Sequence, residues 1–154
     1  MVRKTAKQTV SIQNTEDKEW VINPTISTES DACSGYFGGK TTLVVPPKQA
    51  AQFEVAYTPK TMTKKDGAGQ ADQHKGSLFF PLPNGTALLY KLNGTATEPE
   101  AEASLQETVT AKKSKFIIIP VRNWLKSDQR FKVSWVVEGD QDQTTFIRGA
   151  NMLD

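Results

Sequence analysis

At 154 residues the chain is long enough for one ordinary domain or two small ones. Its 37% hydrophobic and 23% charged residues exclude a wholly disordered chain, and nineteen basic against seventeen acidic side chains, a net +2, argue against a dedicated nucleic-acid binder or an acidic tail. One cysteine, Cys33, excludes an intramolecular disulfide framework and zinc-ribbon spacing, and one histidine, His74, excludes any site built on two.

Helical periodicity is scarce along the chain. Apolar residues alternate with polar ones, or fall in short β-branched and aromatic runs. Val10 and Ile12 alternate with Thr9, Ser11 and Gln13, and Trp20-Val21-Ile22 follows until Pro24 interrupts it. Thr41–Val45 ends at Pro46-Pro47, and Ala51, Phe53, Val55 and Tyr57 alternate up to Pro59. Ser77–Phe80 and Ala87–Leu92 flank a turn. Ile117, Ile119 and Val121 predict a further strand, Phe131, Val133, Trp135 and Val137 another, and Thr144–Ile147 a last one. The fold class expected is all-β, an antiparallel sandwich.

Asn84-Gly85 between two apolar runs is the strongest hairpin signal. The simplest two-residue turn would set Pro81 and Pro83 at hydrogen-bonded pairs, where proline has no N–H to give. The prolines therefore predict a wider loop from about Pro81 to Gly85, or a bulge, with pairing tight only around Phe79 and Tyr90. Leu78, Phe80, Leu89 and their neighbours are expected to pack inward or against an adjoining module. The polar stretch Thr61–Gln73 reads as a long loop, and the acidic, proline-bearing stretch Glu98–Ala103 as a linker and domain boundary.

A weak internal repeat supports that boundary. Val10-Ser11-Ile12-Gln13-Asn14 and Ile119-Pro120-Val121-Arg122-Asn123 each precede a polar turn and an apolar run, Trp20–Ile22 in one case and Phe131–Val133 in the other. Setting Asn14 on Asn123 gives an offset of 109 residues, with two extra residues in the second turn. The expected organisation is a sandwich module over residues 1–97, then a linker and the first strands of a second, incomplete module over 98–154.

The chemistry-bearing residues form no catalytic pattern. His74 stands at a loop edge without a second metal-ligating partner nearby, and reads as structural or solvated. Cys33 in Ser-Asp-Ala-Cys-Ser-Gly has no nucleophile-activating constellation, and reads as a free thiol in a small loop. Glu138, Asp140 and Asp142 lack the ligand order of a calcium loop. Gly35, Gly38 and Gly39 do not lead from a strand into a helix, so they are no phosphate cradle. No catalytic residue, metal site or cofactor is expected. Lys60, Lys64 and Lys65 form one basic cluster and Lys112, Lys113 and Lys115 another. Solvated loop charge is their commoner meaning, and Lys64, Lys65, Lys112 and Lys113 are the weak partner-binding candidates. Trp20, Trp124 and Trp135 read as core or loop anchors.

No apolar secretory core follows Met1, and Phe116–Val121 is too short to span a bilayer. With a free cysteine, this predicts a reducing, cytosolic-type compartment and no membrane partner. The sequons at Asn84 and Asn93 then read as turn chemistry.

Specific residues go beyond pattern. His74-Lys75-Gly76-Ser77-Leu78-Phe79-Phe80-Pro81-Leu82-Pro83-Asn84-Gly85-Thr86, then Leu89–Ala96, resembles hydin and related giant cilia- and flagella-associated proteins. Val45-Pro46-Pro47, Phe53–Pro59 and Met62-Thr63 are similar upstream, as are Asn123-Trp124-Leu125 and Gln129-Arg130-Phe131 downstream. The family's repeats are ASPM–SPD-2–hydin and major-sperm-protein-like modules, immunoglobulin-like sandwiches of the PapD kind. The resemblance implies a non-enzymatic scaffold repeat of the ciliary axoneme, in the central-pair apparatus, with other axonemal proteins or microtubules as partners and no nucleic acid. Family modules open with a Phe-Gly-bearing strand that is reduced here to residues 1–7 or missing, so the sequence reads as a stretch excised from a longer protein. The unfilled edges then predict a strand-exchanged dimer of the fragment. The alternative from another functional class is a chaperone- or carrier-type sandwich that binds by strand addition.

Overall fold

A computed structural model describes residues 1–64, 72–136, 149 and 152–153. The chain divides into two compact units, Met1–Leu105 and Gln106–Asp154.

Among the described residues the first unit is all-β apart from one 3-10 turn, Asp31–Cys33. Its strands are β1 (Ala6–Gln13), β2 (Trp20–Ile22), β3 (Thr25–Thr28), β4 (Phe37–Gly39), β5 (Leu43–Val45), β6 (Ala50–Tyr57), β7 (His74–Pro81) and β8 (Ala87–Gly94). They form an antiparallel sheet β1-β6-β4, a second antiparallel sheet β3-β7-β8 and a β2-β5 ribbon. The alternation in the sequence is what drives this arrangement. Every second residue of β7 (His74, Gly76, Leu78, Phe80) is buried, as are Trp20 and Ile22 of β2, Leu43 and Val45 of β5, and Phe53 and Val55 of β6.

The buried faces meet in one core of Ile12, Trp20, Ile22, Leu43, Val45, Phe53, Val55, Leu78 and Phe80. The rings of Phe53 and Phe80 join the two sheets edge to face, centroids 5.2 Å apart. Each large side chain in that layer contributes roughly 1.5–3 kcal/mol by leaving water. The expected immunoglobulin-like, all-β sandwich is therefore what the first unit forms. Asn14, wholly buried just past β1, ties the polar turn to it. Its Nδ2 donates to the carbonyls of Lys18, Val45 and Pro46, and its Oδ1 accepts from the Glu16 N–H.

The hairpin differs from the two-residue turn as the prolines require. Pro81 pairs with Ala87, Phe80 with Leu88 and Leu78 with Tyr90, across a five-residue loop closed by the Leu82 N–H on the Thr86 carbonyl at 2.9 Å. Because Leu82–Thr86 is a hydrogen-bonded pair, Pro81–Ala87 is not, and the missing proline N–H costs nothing toward β8. Asn84 Oδ1 takes the N–H and hydroxyl of Thr86, and Gly85 turns the chain at φ +83°. Pairing thus extends two residues beyond Phe79, farther than expected. The register also keeps Leu89 out of the core of its own module. It stands opposite Phe79 on the outer face and is 64% exposed, because one residue of slip exchanges the two faces. Asn93-Gly94 lies within β8, so only the Asn84 sequon is turn chemistry.

Strands β3 and β4 were not anticipated. Thr-Ile-Ser-Thr offers a single apolar residue, and Phe-Gly-Gly breaks the pattern with glycine. Gly39 is needed there, since a Cβ would lie 2.6 Å from the Phe53 ring.

The second unit contains β9 (Phe131–Lys132) paired antiparallel with β10 (Met152–Leu153). The strand expected over Ile117–Val121 does not form, and Phe116 and Ile118 are more than nine-tenths exposed. Its counterpart in the first unit, β1, is held by β6, and no equivalent of β6 occurs among the described residues of the second unit. Of the strand expected over 131–137, only Phe131–Lys132 is strand among the described residues, and Thr144–Ile147 lies outside them.

Candidate functional site

Two places in the first unit gather chemistry. The first is a polar cluster below the core, where β4, β6 and β7 meet. The expected loop-edge histidine is in fact the first residue of β7 and is 8% exposed. Its Nδ1 lies 2.7 Å from the Tyr57 hydroxyl and its Nε2 3.4 Å from the Thr61 hydroxyl. Tyr36 bonds the same Thr61 hydroxyl at 3.0 Å and sets its ring edge-on to the imidazole at 4.9 Å. Phe37 stacks on Tyr57 at 4.9 Å. Cys33 is buried in the 3-10 turn beside Tyr36 and Phe37.

Burial sets the charge state of this cluster. It lowers the His74 pKa, against a smaller opposing pull from Asp72. It raises the Cys33 thiol, with Asp72 adding to the effect, and pushes Tyr57 up to about 12, with help from Cys33 and Tyr36. All three shifts favour the neutral form. A thiol held protonated is a poor nucleophile, and a histidine with both nitrogens engaged is poorly placed to shuttle a proton. The cluster therefore acts as a polar plug that fastens β7 to β6.

This predicts a bounded pH range of stability. The unfolded chain takes up the histidine proton near pH 6.5, before the folded one does, so stability falls as pH drops below that value. On the alkaline side the unfolded chain releases the thiol and phenol protons first, so stability falls again above about pH 9. The acid limb has a slope of at most about 1.4 kcal/mol per pH unit for one proton. Thermal unfolding from pH 5 to 10 should show both limbs, and His74→Gln should flatten the acid one. An acid limb unchanged in that variant would remove His74 as its cause.

The second place is a groove of about 260 Å³ between β1, at the edge of one sheet, and β8, at the edge of the other. Phe37, Val55, Tyr57 and Leu92 give it an apolar floor, while Gln8 and Lys91 are among its polar lining. On the opposite side of the sandwich β3 and β4 lie against each other. Nothing in the sequence marked this groove, because its walls come from strands some 80 residues apart. Its only local trace was the alternation of β8.

Lys64 is exposed after β6, and Lys65 lies outside the described residues. Lys112 and Lys113 are exposed in the second unit, in a turn where the Lys113 N–H meets the Thr110 carbonyl at 3.0 Å. Glu138, Asp140 and Asp142 also lie outside the described residues, and among those described no group of three acidic, histidine or cysteine side chains is arranged to hold a metal. No described helix is long and apolar enough to cross a membrane.

No family model matches the chain. The hydrocephalus-inducing protein of Mus musculus is 33% identical over 157 aligned positions, covering 99% of this chain and 3% of that protein. The Homo sapiens homologue is 33% identical over 132 positions, covering 86% and 2%. The chain thus spans only a few per cent of the length of these relatives. Among solved structures, the Pseudomonas aeruginosa CupB2 chaperone overlaps 56% of this chain and 46% of its own at TM-score 0.44 and 16% identity. The MSP-domain-like protein SSP-19 of Caenorhabditis elegans overlaps 62% and 91% at 0.42 and 8%. The ASH/PapD-like domain 7 of human CEP192 overlaps 64% and 77% at 0.44 and 10%. Along nearly its whole length, the chain is a homologue of one short segment of the hydrocephalus-inducing proteins, the hydin proteins that its hairpin sequence resembles.

Proposed function

We propose that the chain is a non-enzymatic, protein-binding module of a large ciliary scaffold, seated on the axoneme at the central-pair apparatus and supporting motility. The observation that carries this reading is the 33% identity to hydrocephalus-inducing protein along 99% of the chain. The neutral plug around His74 supports the non-enzymatic part, since its ionisable groups are tuned away from reactivity.

Residues from about 98 onward form a linker and the opening of a second module in this proposal. Three geometric coincidences support it. Asn123 makes the same turn as Asn14, its Nδ2 donating four residues ahead to Ser127 and its Oδ1 accepting two residues ahead from Leu125. Phe131 pairs with Leu153 as Trp20 pairs with Val45, and Lys132 with Met152 as Val21 with Val44. Both pairings are antiparallel. The linker itself folds back on the first unit, where Glu100 and Glu102 pair with Lys4 and Arg3, and the Val2 N–H bonds the Thr97 carbonyl at 3.0 Å.

Tagging the full-length protein in ciliated cells and imaging isolated axonemes tests the reading. Label along the central pair is expected, and label confined to the cell body would overturn it. A narrower test addresses Lys64, Lys65, Lys112 and Lys113 as microtubule contacts. If they serve, co-pelleting with microtubules falls steeply as salt rises, because such contacts are screened within about 10 Å at 0.1 M ionic strength. Absence of pelleting at low salt would return them to solvated loop charge.

A further inference from the structure

We infer that Asn84 is a site of spontaneous chemical modification, at which the Gly85 backbone nitrogen expels the side-chain amide and leaves aspartate or isoaspartate at the tip of the β7–β8 hairpin. The inference stands on that hairpin and does not depend on the scaffold reading.

The reaction is intramolecular, so the turn itself governs its rate. The Gly85 nitrogen loses its proton and forms a bond to Asn84 Cγ. The Cγ–Nδ2 bond breaks and the amide leaves as ammonia, which closes a five-membered succinimide. Water then opens the ring. Breaking the new bond to Cγ gives aspartate. Breaking the bond to the backbone carbonyl carbon of residue 84 gives isoaspartate, whose main chain runs through Cγ and is longer by one methylene. Nothing is oxidised or reduced, and water is the only co-reactant.

The sequence holds Asn-Gly twice, at 84–85 and at 93–94, and the fold treats the two in opposite ways. At the hairpin tip Asn84, Gly85 and Thr86 are exposed. Asn84 Oδ1 accepts the Thr86 N–H at 3.0 Å and the Thr86 hydroxyl at 2.6 Å. Negative charge develops on this oxygen as the nitrogen adds to Cγ, and two donors already aimed at it stabilise that charge as an oxyanion hole does. Gly85 has φ +83°, and no atom lies within 4 Å of where its Cβ would stand, so the backbone can turn toward the ring without a clash. Its N–H donates to the Leu82 carbonyl at 3.1 Å. That bond lies inside the loop, and its opening frees the nitrogen without disturbing the strands.

Asn93-Gly94 lies inside β8, opposite Lys75 and His74. Bonded pairs alternate along the hairpin from Leu82–Thr86, which sets the Gly94 N–H on the His74 carbonyl. Gly94 is buried, and a Cβ there would lie 2.3 Å from the Tyr57 ring. Succinimide formation at this point has to open both the ladder and the packing behind it, so the same dipeptide is protected. Conversion at Asn84 instead puts a negative charge on an exposed tip, and isoaspartate also lengthens its loop.

The test incubates the whole 154-residue chain in mildly alkaline buffer for several weeks. Peptides spanning each Asn-Gly are then weighed. Isoaspartate is counted by methyl transfer from S-adenosylmethionine to its free carboxylate, catalysed by a protein isoaspartate methyltransferase. Residue 84 should exchange amide for acid and accept methyl, with residue 93 slower by about tenfold or more. In guanidinium chloride the two should convert at similar rates, because the protection belongs to the fold. Thr86→Val keeps the N–H and removes the hydroxyl. Measured against the same variant in guanidinium chloride, it should slow residue 84 by about threefold or more. Raising the pH should speed residue 84, since the attacking nitrogen reacts deprotonated. An unconverted residue 84, equal rates at 84 and 93 in the folded chain, or an unchanged rate in Thr86→Val would each overturn the assignment.

Discussion

Replacing Phe80 by Ala should lower the free energy of unfolding by about 3–5 kcal/mol, whereas Phe79→Ala should change it by about 1 kcal/mol or less. The two phenylalanines are neighbours on one strand and differ only in the face they occupy. Phe80 is wholly buried, meeting Phe53 at 5.2 Å and Tyr90 at 5.9 Å, both edge to face. Truncation there removes the ring's transfer energy and leaves a hole between two sheets whose strands cannot close over it. Phe79 is 40% exposed opposite the still more exposed Leu89. Urea unfolding of the two variants, followed by Trp20 fluorescence, measures the contrast. The urea slope should stay constant if only the folded state is altered. Equal losses in both variants would mean that the hairpin sits in the other register.

That register marks where local sequence stops being informative. The alternation in β1, β6, β7 and β8 was legible because each strand has one wet and one buried face. The two prolines correctly disfavoured a two-residue turn, yet the choice between loops of different length decides the facing of Leu89, and no local residue states it. Strands β3 and β4 escaped for a different reason. They exist because β7 and β6 offer them an edge, not because Thr25–Thr28 or Phe37–Gly39 carries a strand pattern. Phe116–Val121 is the converse, a strand pattern that finds no partner strand among the described residues of its own unit. The His74 plug follows the same rule, since Tyr36, Tyr57 and Thr61 reach it from other parts of the chain and burial of a polar side chain depends on such partners. Pairing and burial at a distance were what the sequence could not state, and both the groove and the plug are made of them.

The second large effect is expected at Asn14. Asn14→Asp should destabilise the protein by about 4 kcal/mol or more at neutral pH. The amide nitrogen now serves three carbonyls, those of Lys18, Val45 and Pro46, at 2.7, 3.1 and 3.2 Å. An ionised carboxylate offers none of those bonds and sets a negative charge against three carbonyl oxygens in a wholly buried site. The buried acid escapes by staying protonated, so its folded pKa rises above the unfolded value near 3.9. The sign of the pH dependence follows. The deficit is smallest below about pH 4, where both states are protonated, and grows as pH rises and only the unfolded state ionises freely. Asn123→Asp provides the internal comparison. Asn123 makes the same two turn bonds, to Ser127 and Leu125, but it is exposed, and no bond to a distant strand is added among the described residues. Its substitution should stay within about 0.5 kcal/mol at every pH. Urea midpoints of both variants between pH 4 and 8 decide the matter. A pH-independent loss in Asn14→Asp would show that the turn, and not the buried amide, is what Asn14 contributes.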